Sequence, residues 1–142
     1  MRRPRRAGGL RARAAGALIA LAATALAACS PATAGPRTIE IDVRHSAFSM
    51  PRLEVDADET VRFVIHNTDP IDHEFILGDQ AVQDRHETGT ERRHGAIPGE
   101  VTILAGSTAE TTYTFAEPGT VLFGCHLPGH YAYGMRGTVT VA

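Results

Sequence analysis

The chain has 142 residues with 14 basic and 16 acidic side chains, seven histidines, two cysteines and no tryptophan. Six of the basic residues and none of the acidic ones lie in residues 1–28, so the remaining 114 residues carry eight basic against 16 acidic groups, a net charge of −8 with no lysine. That balance excludes a basic patch for nucleic acid or anionic lipid, and the length suffices for one domain with one core.

At the start, Arg2, Arg3, Arg5, Arg6, Arg11 and Arg13 form a basic head. Ala14 to Ala28 follows as an apolar run broken only by Gly16 and Thr24. At about 15 residues it falls short of the roughly 20 a bilayer-spanning helix needs. Residues 1–28 therefore read as an export signal, a retained anchor helix being the alternative. Leu26-Ala27-Ala28-Cys29 resembles a bacterial lipobox. The resemblance implies cleavage before Cys29 and lipid on its thiol, which places the protein on the extracytoplasmic face of the membrane; ordinary cleavage nearby, with Cys29 incidental, is the other option. Residues 29–37, with Pro31, Gly35 and Pro36, read as a flexible tether to a domain over 38–142.

Short strands then follow one another. Thr38–Val43 and Phe48–Val55 alternate polar and apolar residues, and Asp56-Ala57-Asp58-Glu59 marks a turn. Val61–Ile65 is a stronger strand, ended by Asn67-Thr68-Asp69-Pro70. His73–Leu77, Glu100–Leu104, Thr111–Phe115, Val121–Phe123 and Thr138–Val141 complete a set of about eight. Regular turns between so many strands predict an all-β sandwich or barrel. Gly78 to Gly99 breaks the rhythm with a long polar stretch. Within it, residues 79–87 suit a short helix, with Asp79 as N-cap and Gly89 beyond its end.

Cys125, His130 and Met135 are spaced C-x4-H-x4-M just after the seventh strand. A thiolate, an imidazole and a thioether on one loop form a soft to borderline ligand set that suits copper. A second imidazole would complete a His₂Cys set with methionine as the long axial ligand, and His73 is the best candidate, since it opens a strand after the Asn67–Asp72 turn. Cys125 would be a lone thiol in an oxidising compartment, which favours a metal role; a Cys29–Cys125 disulfide and a plain buried thiol are the alternatives. His126 points to the opposite face from Cys125 and reads as a surface or supporting residue, not a ligand. His45, His66, His86 and His94 read as surface residues, the last two with scope for a second, weaker metal site.

With Asp72-His73-Glu74-Phe75 upstream, Pro128-Gly129-His130 and Gly134-Met135-x-Gly137 in the loop, and Phe48-x2-Pro51-x-Leu53-x-Val55, Val61-x-Phe63 and Asn67 in the early strands, residues 38–141 resemble the cupredoxins, the family of plastocyanins, azurins and rusticyanins. The resemblance implies a Greek-key β-sandwich holding one type 1 copper ion near one end. Carried over position by position, His73, Cys125, His130 and Met135 become the metal ligands. Glu74 departs from the Asn or Ser that the family often has after the upstream ligand, a position that tunes the thiolate through hydrogen bonds, so the reduction potential does not transfer.

Cys125-His126-x3-His130-x4-Met135 also resembles the last copper motif of multicopper oxidases. Gly124 stands where their preceding histidine would be, no His-x-His pair occurs, and the chain is too short for several domains. The expectation is therefore a monomeric electron carrier and not an enzyme. Pro128, Tyr131 and Tyr133 would form an apolar electron-transfer patch around His130, facing a basic or mixed-charge redox protein. The alternative is a cell-surface protein that buffers, delivers or detoxifies copper; Met50 and Met135 are too few methionines for a Met-rich Cu(I) carrier.

Overall fold

In a computed structural model, residues 35–142 other than 92 and 96 are described. The expected signal at 1–28 and lipid-bearing Cys29 lie outside them. Eight strands run β1 Arg37–Val43, β2 Arg52–Val55, β3 Glu59–Asn67, β4 His73–Gly78, β5 Glu100–Ile103, β6 Thr108–Phe115, β7 Gly119–Gly124 and β8 Arg136–Val141. They form a three-stranded sheet in the order β1-β3-β6 and a five-stranded sheet in the order β2-β8-β7-β4-β5. The β1–β3 and β2–β8 pairs are parallel and the others antiparallel. This is the all-β sandwich that the alternation predicts. The second expected strand is shorter than its pattern, because Phe48 makes only an isolated bridge to Val43 before β2 begins at Arg52.

Alternation sets the two faces of each sheet. On β1, Ile39, Ile41 and Val43 are buried while Glu40 and Asp42 are exposed. Between the sheets, Phe75 meets the rings of Phe48, Phe63 and Phe123 at centroid distances of 5.8, 5.2 and 5.2 Å. β4 departs from the period-2 burial and is buried at every residue. His73, Phe75 and Leu77 face the core, and Glu74 and Ile76 face outward. That outer face is covered by helix α1, Gln80–Glu87, which packs on β4 and β7. The helix begins where the sequence places it: Asp79 Oδ1 accepts from Val82 N–H at 2.9 Å. Among the described residues, no helix is long and apolar enough to cross a membrane.

Asn67 ties the chain entering β4 to the sheet beside it. Its side-chain amide donates to the carbonyls of Ile71, Ile103 and Leu104, and its Oδ1 accepts from Asp69 N–H at 2.9 Å. A buried amide so fully used fixes the turn that delivers His73.

Gly137 has a steric reason. A Cβ there would lie 2.5 Å from the Pro51 carbonyl oxygen and would run into the ring of the fully buried Phe123. Gly137→Ala is therefore expected to cost about 1–3 kcal/mol, the usual penalty for overpacking. Urea unfolding should show a lower midpoint at unchanged slope; an unchanged midpoint would mean that the β2–β8 contact yields freely.

Candidate metal centre

The loop from Cys125 to Met135 is closed by backbone bonds. Cys125 N–H donates to the Met135 carbonyl at 3.0 Å, and Met135 N–H donates to that of His130 at 2.9 Å. Within it, His130 N–H reaches the Leu127 carbonyl at 2.9 Å and Tyr133 N–H that of Gly129 at 2.9 Å. Such tight turns need left-handed backbone, which Gly129 and Gly134 supply with φ of +85° and +104°. The spacing of the three candidate ligands is thus the spacing of one compact loop.

β4 brings the fourth residue. His73 leads the core-facing side of β4, and Cys125, one residue past the end of β7, is buried on the same side as Phe123. The Cys125 Sγ lies 3.3 Å from His130 Nδ1 and 4.0 Å from His73 Nδ1, and the two rings are 5.1 Å apart. One donor atom from each of His73, Cys125 and His130 falls within 4.8 Å of the others. Met135 is 1 % exposed and packs in the same core. The structure therefore brings together His73, Cys125 and His130 at one end of the sandwich, with Met135 at the foot of their loop.

Three further groups orient this set. His73 Nε2 faces Asp69 Oδ2 at 3.0 Å, which leaves Nδ1 directed at the thiol. Burial pushes the Asp69 carboxyl up, but the N–H groups of Ser46 and His45, together with His73, outweigh it and hold it below the usual carboxylate range. Glu74 N–H donates to Cys125 Sγ at 3.3 Å, so the position that departs from the family pattern still supplies a thiolate hydrogen bond through its backbone. Burial pushes the Cys125 thiol up to about 11, against a smaller lowering by the Leu127 and Glu74 N–H groups. Burial likewise pulls the His130 imidazole below its ordinary value, and His73 adds to this.

These residues fit a copper ion. The donor set is a sulfur and two nitrogens, and both sulfur–nitrogen separations, 3.3 and 4.0 Å, are ones that an ion about 2.0–2.3 Å from each atom can bridge. Cys125 is a free thiol and is buried. A buried thiol raised so far yields its proton only to something that compensates the charge, and a soft metal does so.

Around His130, Pro128 and Tyr133 are exposed, the latter at 93 %. Tyr131 turns the other way: its ring stacks on His126 at 4.6 Å and covers Gly124. His126 does point to the outer face, but its side chain is only 2 % exposed and is held by Gln83 Oε1 at 2.8 Å and Glu87 Oε2 at 2.9 Å. His86 and His94 correct the surface reading: their side chains are 7 % and 4 % exposed, because α1 and the segment after it fold onto β4 and β5. Asp69 and Gln83 escaped the sequence reading. Asp69, four residues before His73, carried a signal; Gln83 carried none beyond a helical register.

Residues 37–142 match the family described as copper binding proteins, plastocyanin/azurin family. The copper-resistant cuproprotein CopI of Pseudomonas aeruginosa is 33% identical over 137 residues, covering 74% of this chain and 76% of its own length. CopI of Rubrivivax gelatinosus is 38% identical over 98 residues, covering 66% of this chain and 59% of that protein. The solved structure of auracyanin A from Chloroflexus aurantiacus, described as a "blue" copper protein, superposes with a TM-score of 0.60 at 28% identity, covering 76% of this chain and 100% of that one.

Proposed function

Since the chain belongs to the plastocyanin/azurin family of copper-binding proteins, the cupredoxins, we propose that it is an exported, lipid-anchored, monomeric electron carrier and not an enzyme. Bound copper supplies a one-electron change between Cu(I) and Cu(II). The observation that carries the reading is the closure of the site: His73 and Cys125 are fully buried, Met135 is 1 % exposed, and only His130 reaches toward the surface. A rigid, closed set leaves no position for a substrate and holds its geometry when the charge changes. Pro128 and Tyr133 would frame the exit at His130, and the net charge of −8 on residues 29–142 would steer a basic redox partner.

Copper resistance is the second reading, favoured by the two CopI relatives at 33% and 38% identity. One experiment separates them. Reduced protein mixed with a basic redox protein is expected to transfer electrons fast, at a rate that falls as salt screens steering beyond about 10 Å at 0.1 M, while copper stays bound against a chelator. Slow transfer to basic partners, with copper passed to an acceptor within minutes, would favour copper handling.

The anchor is tested separately. The native protein is expected in the membrane fraction, and Cys29→Ser is expected to leave it soluble or unprocessed. Mass spectrometry finding an unmodified Cys29 in the mature protein would exclude lipidation.

A further inference from the structure

We propose that the outer face of the β4–β5 pair carries a second metal site, for a divalent borderline ion such as Cu(II), held by His86, His94 and Glu100 with Glu91 at its mouth. The inference stands independently of whether the first centre carries electrons or handles copper.

The strand register builds it. Glu100 is paired with Ile76 and Thr102 with Glu74, so Glu100 and Glu74 share the outward face that α1 covers. His86 comes from the last turn of α1. His94 is pinned to the strand by its N–H to Thr102 Oγ1 at 2.8 Å and by Thr102 N–H to its own carbonyl at 3.2 Å. The imidazole centroids of His86 and His94 are then 4.9 Å apart.

Ring orientations suit a metal. His86 Nδ1 donates to the Val82 carbonyl at 2.8 Å, which turns the other ring nitrogen, Nε2, toward Glu100 Oε2 at 3.3 Å and makes it the atom that a metal would take. His94 Nδ1 lies 3.5 Å from both Glu100 Oε2 and Glu91 Oε2, and its Nε2 lies 3.5 Å from Glu74 Oε1. A carboxylate behind a ligating imidazole is the usual support for a metal-bound histidine. His86, Glu91 and His94 offer donor atoms that all fall within 4.8 Å of one another.

Distance separates a metal site from a salt-bridge network. Separations of 3.3–3.5 Å are long for hydrogen bonds between imidazole and carboxylate. They fall close to the separations of neighbouring donors around one ion with bonds of about 2.1 Å, which run from about 3.0 Å at a right angle to about 3.4 Å at a tetrahedral angle, so a tetragonal or a flattened tetrahedral site is within reach. His86, His94, Glu74 and Glu100 are all at least nine-tenths buried at the side chain, a costly arrangement without an ion or protons to compensate it. Among the described residues, the cavity beside them, about 910 Å³, is lined by five carboxylates and by Arg85 and Arg93, an acidic excess that favours entry of a cation. A sulfur-free N/O set selects a divalent ion over Cu(I), and among divalent first-row ions copper binds tightest.

Glu74 joins the two sites. Its N–H donates to Cys125 Sγ at 3.3 Å, its Oε2 accepts from His126 N–H at 3.2 Å, and its Oε1 faces His94. An ion at the second site should therefore be felt at the thiolate.

The test is a copper titration of the whole protein, read by metal analysis, absorption and EPR. Wild type is expected to hold two Cu(II) per chain, one coloured and one colourless with a large copper hyperfine splitting. His86→Ala/His94→Ala should hold one, with the coloured band intact as proof of folding, and Glu100→Gln should weaken the colourless site at least tenfold. Cys125→Ser should keep only the colourless copper. His45→Ala/His66→Ala, which removes two histidines outside this pocket, should change nothing. Zn(II) added to protein with its first centre filled should shift the coloured band in wild type and not in His86→Ala/His94→Ala. One copper per chain in wild type, or a colourless copper that survives His86→Ala/His94→Ala, would overturn the proposal.

Discussion

Cys125→Ser is expected to abolish the intense visible band of the oxidised, copper-loaded protein and to weaken the first centre by more than about a hundredfold. That bound exceeds the upper end of what losing a mere supporting partner costs a metal site. A thiolate is a soft donor and the source of charge transfer to copper, and a serine hydroxyl at the same place is neither. The fold should survive, since the residue is small, already hydrogen-bonded to Glu74 N–H, and adjacent to the strand end and not within it. Total copper is not the right measure, because the outer-face site would keep its ion. Absorption between the visible and near-infrared is, and an undiminished band in Cys125→Ser would remove the thiolate from the site.

Phe75→Ala should have the largest effect on stability. Phe75 is fully buried and meets three other phenylalanine rings between the sheets. Truncating a phenylalanine in such a position costs about 3–5 kcal/mol, against a total stability of about 5–15 kcal/mol for a typical domain. Urea unfolding of the metal-free protein should show this loss, while Ile71→Ala, at a residue that is 46 % exposed, should change the stability by less than about 0.5 kcal/mol. Phe75 lies two residues from His73 on the same face of β4, so the loosened core should also broaden the copper spectrum. A cost below about 1 kcal/mol for Phe75→Ala would mean that the aromatic cluster does not hold the sheets together.

The first centre was largely legible in the sequence because its ligands lie where periodicity speaks. Cys125, His130 and Met135 sit on one short loop, and His73 opens a strand whose inward face is set by Phe75 and Leu77. The helix was legible from Asp79 and Gly89. Burial of His86 and His94 was not. It depends on α1 folding back over β4, and a short polar helix gives no apolar stripe from which that docking can be read. Tyr131 failed for a related reason: inside a loop of successive turns, neighbouring side chains follow no period, so Tyr133 reaches solvent while Tyr131 stacks on His126. Pairing of β1 with β3 and of β2 with β8 was likewise hidden, since parallel partners distant in sequence share no turn that fixes their register.

The central claim is that one copper ion is held by a thiolate and two imidazoles, with Met135 completing the set. The absorption spectrum of the oxidised wild-type protein, loaded with one equivalent of copper, tests it most directly. An intense blue or green colour is expected, which bleaches on one-electron reduction and returns on reoxidation. A colourless or faintly tinted protein at full copper occupancy, with its fold intact, would contradict it.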